Sequence, residues 1–205
     1  MGFTKKDTYY YDGTVYEWNL PTGWTCPFAD ECLVKVDRET GKQENKSTAY
    51  KCYAASAERF PGVRKSRWDN LERSKASWLP ELPRGAKSVR IHGSGDFYSQ
   101  KYFDLWLGYA EARPEVEFWA YTKSLKYWVE RLDSIPSNLV ITASYGGRDD
   151  HLIKEHGLKS ALVVGSQDAA DLLRLPVNDG DDMARTPIID FALVDNYAKK
   201  PQQKT

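Results

Sequence analysis

Four short runs in the middle of the chain are apolar or β-branched, and turn residues follow each of them. The runs are 88–92, 117–121, 138–142 and 160–164. Runs of this length and composition are typical of buried strands. Their starts are 29, 21 and 22 residues apart, and apolar residues recur at helical spacing between them. Strands that alternate with helices in this way indicate right-handed βαβ units and a parallel sheet.

Three helices are predicted between and after these strands. The first contains Tyr102 to Ala110 and has Ser99 in position to cap its start. The second contains Leu125 to Leu132 behind a Ser124 cap. The third covers 151–156 and is closed by a glycine that suits a left-handed terminus.

The flanking sequence extends the same scheme. Residues 14–20 and 188–193 read as a first and a last strand. A helical stretch from Cys52 to Phe60 precedes a break at Pro61-Gly62, and a second stretch from Arg64 to Leu79 follows. We expect that second stretch to turn three large apolar side chains inward, namely Trp68, Leu71 and Trp78.

The predicted fold class is therefore α/β, with five to six βα units. Two architectures fit: an open parallel sheet of the doubly wound kind, or a partial (β/α) barrel. We expect a single domain over 1–198, which includes an N-terminal cysteine-containing loop region, and a flexible tail over 199–205.

Composition excludes several classes of protein. The 205 residues include 27 aromatic residues, too many for a disordered chain. No apolar run approaches the ~20 residues of a membrane span, and Met1 to Lys6 lacks the apolar core of a secretory signal. We therefore expect a cytoplasmic protein that has no membrane partner.

Polar and glycine-rich sequence follows every predicted central strand. These segments are 92–98, 122–124, 143–148 and 165–167. The carboxyl ends of parallel strands meet at one edge of a sheet, so we expect a shared polar pocket there for a small-molecule ligand. The predicted cofactor- or ligand-binding residues are Ser94, Gly95, Asp96, Thr122, Lys123 and Ser144.

Three residues in these segments are candidates for catalysis. His92 could act as an acid or base, or could be a hydrogen-bonded core residue at a strand end. Asp96 could accept from an amine or a ribose hydroxyl, or could cap a turn. Lys123 could meet a carboxylate or phosphate, or could be an ordinary solvated lysine.

The three cysteines, Cys26, Cys32 and Cys52, have the spacing C-x5-C-x19-C. An odd number in a cytosolic chain argues against a disulfide framework. Three thiolates could hold a four-iron four-sulfur cluster with one iron left open, or a zinc ion. The thiols could also be buried as small apolar groups. The spacing disfavours structural zinc, whose ligands normally pair two to four residues apart.

Charge is balanced overall, with 29 basic and 29 acidic residues, but it is unevenly distributed. Residues 51–90 hold ten Lys or Arg against four acids, whereas 167–195 hold seven Asp. A basic helix that carries Trp68 could form a nucleic-acid surface. We prefer an amphipathic helix packed by Trp68 with its basic residues in water. The residues concerned are Arg64, Lys65, Arg67 and Arg73.

Four longer segments resemble the phage "gene product 88" domain family, which is common in mycobacteriophages. They are 19–27, 90–99, 118–124 and 149–157, and the resemblance covers the chain from about Trp18 to about Phe191. It implies a phage product made in the cytoplasm of an infected bacterium.

A more distant resemblance is to radical S-adenosylmethionine enzymes, which use a partial β/α barrel and three cysteines in a loop. It implies a four-iron four-sulfur cluster on Cys26, Cys32 and Cys52, and S-adenosylmethionine as a second cofactor. Gly95-Asp96 corresponds to the segment that holds the methionine amino group. The cysteine spacing departs from the usual C-x3-C-x2-C of those enzymes.

Two functions follow as hypotheses. The leading one is an iron–sulfur protein or iron–sulfur enzyme that acts on a small molecule at the strand ends. The alternative is a non-catalytic phage protein that binds nucleic acid or a host protein, with cysteines that hold zinc or pack.

Overall fold

The centre of the protein is a mostly parallel β-sheet, seen in a computed structural model that describes residues 2–6, 15–45 and 52–195. Within these ranges there are nine strands. In chain order they are β1 (Thr4–Lys5), β2 (Val15–Trp18), β3 (Val34–Val36), β4 (Gln43–Asn45), β5 (Ser88–Ile91), β6 (Glu117–Thr122), β7 (Leu139–Ser144), β8 (Ser160–Val164) and β9 (Phe191–Val194).

Seven of these strands form the central sheet, in the order β1-β2-β5-β6-β7-β8-β9. Strand β1 is antiparallel to β2, and every other neighbouring pair is parallel. From β2 onward the spatial order follows the chain order, without the reversal that a doubly wound sheet has at its switch point. Strands β3 and β4 form a separate antiparallel pair.

Most helices lie on one face of the central sheet, and the last helix lies on the other. In chain order the helices are α1 (Pro61–Lys75), α2 (Gln100–Glu111), α3 (Leu125–Val129), α4 (His151–His156), α5 (Gln167–Leu172) and α6 (Asp182–Arg185). Two 3₁₀ helices cover Tyr53–Arg59 and Leu132–Ser134. No helix in the described ranges has the length and apolar character needed to cross a bilayer.

The largest core lies between the sheet and helices α2, α3 and α4, where Trp18, Phe103, Trp106 and Phe118 are fully buried. A smaller core on the opposite face packs Trp119 and other strand residues against α6. Because strand side chains alternate between faces, Phe118 and Trp119 enter different cores. These two layers keep the sheet rigid behind its carboxyl edge.

The four central strands are confirmed to within two residues at either end, and the fold class α/β is confirmed. The Ser99 cap is also confirmed, because the Ser99 hydroxyl accepts from the N–H of Tyr102 at 3.2 Å. Gly157 ends α4 in the left-handed region at φ 60°. A glycine adopts this conformation without the steric cost that a Cβ brings.

Several local predictions were wrong. The predicted break between two helical stretches lies at Phe60 and not at Pro61-Gly62; Pro61 begins α1, because the fixed φ of proline suits the first helical position. Trp78 lies beyond the end of α1 and is 51% exposed. Ser124 does not cap α3, since its hydroxyl donates to the carbonyl of Phe97 at 2.6 Å. Helix α3 ends at Val129, which leaves Leu132 exposed.

The ends of the chain also differ from expectation. The last strand begins at Phe191 and not at Ile188, whose side chain is 92% exposed. Thr14, the predicted start of the first strand, and the predicted tail over 199–205 lie outside the described residues.

Candidate functional site

A cavity of about 390 Å³ opens at the carboxyl ends of the parallel strands. Its volume falls in the range of about 300–1,000 Å³ that is typical of small-molecule pockets. We call it the strand-end cavity. The structure places in its wall every residue that the sequence singled out for chemistry: Cys26, Cys32, Cys52, His92, Ser94, Gly95, Asp96, Thr122, Lys123 and Ser144.

The three thiols are free and lie within electrostatic reach of one another. Burial raises the pKa of the Cys26 thiol well above its usual value, and nearby Asp96, Cys52 and Cys32 raise it further. Burial also raises the pKa of Cys52, with Cys32 as the next cause. Cys26 and Cys52 are therefore neutral near pH 7, and a bound cation would have to displace their protons.

No group of three His, Cys, Asp or Glu side chains in the described ranges is close enough to hold a single metal ion. Thiolates on one zinc ion lie roughly 4 Å apart, since each Zn–S bond is about 2.3 Å long. In a four-iron cluster each thiolate binds a different iron, so the sulfurs stand further apart. The three thiols line one cavity, but among the described residues they do not form a group that could hold a metal ion.

The loop that carries Cys26 and Cys32 is attached to the end of β7. The N–H groups of Asp30 and Glu31 donate to the carbonyl of Gly146, and the N–H of Arg148 donates to the carbonyl of Phe28 at 2.9 Å. These main-chain bonds hold the middle of the loop against the sheet edge.

Gly95 allows the same loop to approach the end of β5. It has φ 83°, and a Cβ at this position would stand 2.5 Å from the Thr25 hydroxyl oxygen and 2.6 Å from the Leu20 Cβ. Neighbouring Ser94 donates to the Leu20 carbonyl at 2.5 Å. Close packing against Thr25 and Leu20 therefore explains a glycine at this position without any ligand.

Asp96 joins the ends of β5 and β6. Its buried carboxylate accepts from the Thr122 hydroxyl at 2.5 Å, the N–H of Lys123 at 2.8 Å and the N–H of Phe97 at 2.7 Å. Burial raises the pKa of Asp96 to about 6, although these hydrogen bonds act to lower it. The geometry matches the turn-capping role that the sequence left open.

Lys123 is buried, so the solvated-lysine alternative was wrong. Its ammonium group donates to the Ser144 hydroxyl at 2.7 Å, to the Ser144 carbonyl at 3.1 Å and to the Tyr145 carbonyl. All three N–H bonds therefore have acceptors inside the protein, and none is left for the carboxylate or phosphate that the sequence suggested.

His92 reaches the cavity wall, but its ring packs into the aromatic core. Its Nε2 lies 2.9 Å from the Tyr102 hydroxyl, and its ring centroid is 4.6 Å from that of Phe97. Burial lowers the pKa of His92 to about 3, so the imidazole is neutral near pH 7. Of the two roles considered for His92, an acid or base and a hydrogen-bonded core residue, these contacts match the core residue.

The sequence analysis missed a charged group on the opposite wall. Arg90 donates to the Asp181 carboxylate at 3.2 Å and to the Tyr53 hydroxyl at 3.0 Å, and lies 5.3 Å from the Tyr121 ring. Tyr53 in turn donates to the Gly93 carbonyl at 3.0 Å. The available signal was a lone arginine inside an otherwise uncharged strand, because a buried charge requires a partner.

The basic face predicted on α1 is largely internal. Arg64 and Arg67 are each only 7% exposed, so the preferred interpretation of solvated arginines was wrong for both. Arg64 donates to the main-chain carbonyls of Arg38, Glu39, Glu58 and Arg59. Two of the four cations expected on a nucleic-acid surface are thus unavailable to phosphate.

Comparison with known proteins gives one match. The family model described as Gene product 88 matches residues 3–203. No curated protein and no solved structure matches the chain significantly.

Proposed function

The chain belongs to the Gene product 88 family of phage proteins, and from the geometry of the strand-end cavity we propose that it binds a four-iron four-sulfur cluster. Cys26, Cys32 and Cys52 would be the ligands, and a small molecule would occupy the remainder of the cavity.

The observation that carries this proposal is the convergence of the three thiols. Cys26 and Cys32 lie on one loop and Cys52 precedes a 3₁₀ helix, yet all three line one cavity. A bound cluster of this type supplies electron transfer and one iron that is open to a ligand. The wide sequence spacing of the three cysteines favours this group over structural zinc, whose ligands normally pair two to four residues apart.

We propose further that the parallel sheet is an incomplete β/α barrel around this cavity. The strand order from β2 to β9 without reversal supports this architecture, since barrel strands neighbour each other in chain order. Such curvature turns Arg90, Tyr121 and Ser144 toward one interior space.

The side chains around the cavity act mainly by holding it in shape. Asp96 fixes the ends of β5 and β6 to each other, and Lys123 fixes β6 to β7. S-adenosylmethionine and an enzymatic reaction stay predictions. Asp96, the residue that would receive the methionine amino group, already accepts three hydrogen bonds within the protein.

The test is anaerobic purification from cells supplied with iron, followed by iron and sulfide analysis and absorption spectroscopy. The proposal expects about four irons per chain and broad absorption near ~400 nm. Cys26→Ala, Cys32→Ala and Cys52→Ala should each lose most of the iron. Ser56→Ala, an exposed change on the 3₁₀ helix next to Cys52, should keep it.

Folded wild-type protein that is colourless and iron-free under these conditions would overturn the cluster. In that case zinc analysis and retention on DNA at increasing salt would test the alternative of a non-catalytic binding protein. The burial of Arg64 and Arg67 weakens the nucleic-acid version of that alternative.

A further inference from the structure

The cysteine-bearing segments are held by two separate sets of contacts. The middle of the loop between Cys26 and Cys32 is bonded to the end of β7, through Gly146 and Arg148. The start of that loop and the segment after Cys52 are bonded instead to a buried ion pair between Glu58 and Arg67.

The ion pair joins three elements at one point. Arg67, on α1, donates through Nη1 to the Glu58 carboxylate at 2.7 Å, to the Ala54 carbonyl at 3.0 Å and to the Thr22 hydroxyl at 3.2 Å. The same Glu58 oxygen accepts from the N–H of Thr22 at 2.7 Å. Thr22 and Ala54 themselves line the strand-end cavity.

Each of these contacts is close in sequence to one thiol. Thr22 enters the turn that leads to Cys26, and the Thr25 hydroxyl closes this turn by donating to the Pro21 carbonyl at 2.9 Å. Ala54 is two residues after Cys52, in a segment that begins with the N–H of Ala55 donating to the Cys52 carbonyl. Cys32 has no comparable link to the ion pair within the described part of the chain.

Stability alone does not account for an ion pair in this position. Glu58 is fully buried, and neither Glu58 Oε2 nor Arg67 Nε has a hydrogen-bond partner among the described residues. A buried pair with unsatisfied atoms contributes little net stability, and apolar residues of similar size often replace such pairs without loss. Its specific contribution is geometric, since it fixes Thr22 and Ala54 at hydrogen-bond distance from a rigid 15-residue helix.

We propose that Glu58 and Arg67 are positioning residues that hold Cys26 and Cys52 in place at the strand-end cavity, whereas Cys32 is positioned independently by the β7 contacts. Any link between these positioning residues and a cluster rests on the proposed function. The positioning of Cys26 and Cys52 is itself a property of the protein without a cofactor.

The experiment measures alkylation of each cysteine in iron-free protein, with the sites separated by mass spectrometry of peptides. The variant is Glu58→Met with Arg67→Met, which removes the pair without leaving one charge buried alone. We expect Cys26 and Cys52 to react at least about tenfold faster than in wild type, because local opening exposes them. Cys32 should stay within about twofold of its wild-type rate. Lys65→Met, on the exposed face of the same helix, should leave all three rates unchanged.

Equal acceleration of all three thiols would show general loosening and would overturn the proposal, as would unchanged rates in a variant that melts cooperatively. If the double variant does not fold, Arg67→Lys decides, because it keeps the charge but cannot reproduce the branched contacts of the guanidinium. Faster reaction of Cys26 and Cys52 relative to Cys32 in that variant supports the proposal, and equal ratios overturn it. Since no iron is present, the result is separate from the cluster test, which wild-type iron content decides.

Discussion

The ammonium group of Lys123 donates a 2.7 Å hydrogen bond to the hydroxyl of Ser144 and thereby ties the end of β6 to the end of β7. Both residues line the strand-end cavity, and Lys123 is only 6% exposed. Its three hydrogen-bond acceptors are a hydroxyl and two main-chain carbonyls, and the nearby Asp96 carboxylate adds electrostatic attraction.

Lys123→Met should therefore destabilise the protein by about 1.5–3 kcal/mol, the usual effect of losing hydrogen bonds to a charged group. Urea denaturation measures this change in the free energy of unfolding. Lys101→Met is the matched control, since Lys101 is exposed on helix α2. Equal stability of the two variants would contradict the role of Lys123.

Gly95→Ala should cost more than the about 1–2 kcal/mol of a left-handed backbone alone, because the added Cβ would also collide with Thr25 and Leu20. Gly108→Ala is a control whose expected effect on stability has the opposite sign. Gly108 lies inside α2 with open space around its Cα, so alanine should stabilise the helix by about 0.8–1.0 kcal/mol. Thermal and urea unfolding measure whether the free energy of unfolding falls in Gly95→Ala and rises in Gly108→Ala.

The burial of His92 predicts that the folded protein loses stability in acid. The unfolded chain takes up a proton at His92 near pH 6.5, whereas burial holds the pKa in the folded protein at about 3. The unfolded state therefore binds more protons between these values, and the free energy of unfolding falls as pH decreases through that window. Below about pH 3 both states are protonated and the loss is complete.

The measurement compares wild type with His92→Asn from neutral pH to about pH 4, because asparagine tolerates the positive φ of this position. The free energy of unfolding should fall more steeply with decreasing pH in wild type than in His92→Asn. Asp96, whose raised pKa acts with the opposite sign, is present in both proteins and cancels in the comparison. Parallel slopes would contradict a neutral, buried His92.

Removal of iron should lower the thermal midpoint of the wild-type protein if the proposed cluster is bound, because a group that binds only the folded state stabilises it. Calorimetry before and after anaerobic chelation measures the shift. Cys52→Ala should melt at the same temperature with and without chelator. If iron is found but chelation leaves the wild-type thermal midpoint unchanged, that iron is not bound in the proposed site.

Arg64→Met should destabilise the protein by about 1.5–3 kcal/mol, since the guanidinium holds four carbonyls of the turn between β3 and β4 and of the end of the first 3₁₀ helix. Lys65→Met breaks only an exposed pair with Asp69 and should stay close to wild type. Chemical denaturation of the two adjacent variants separates a buried arginine from a solvated lysine.

Sequence patterns predicted the sheet well because strand periodicity and turn residues are local properties. The rule about strand ends predicted that Asp96, Lys123 and Ser144 lie at one edge of the sheet. Their partners were not predictable, since Lys123 binds main-chain carbonyls, and such acceptors leave no mark in the sequence.

The buried arginines show the same limit. Arg64 and Arg67 are three residues apart on the helix face that Leu71 marks as internal, but arginine is mostly exposed in proteins, so the sequence favours placing both side chains in water. Glu58 was the one available sign, as the only acidic residue in 52–60. The two-residue strand β1 is too short for any periodicity to predict it.

The main-chain bonds from Asp30 and Glu31 to Gly146 connect parts of the chain that lie far apart in sequence. A contact of this range closes a large loop and forms late, after local helices and neighbouring strands have already assembled. A nascent chain that has not yet produced β7 therefore carries Cys32 on a segment without its docking surface, and an inorganic group delivered before that moment would meet an incomplete binding site.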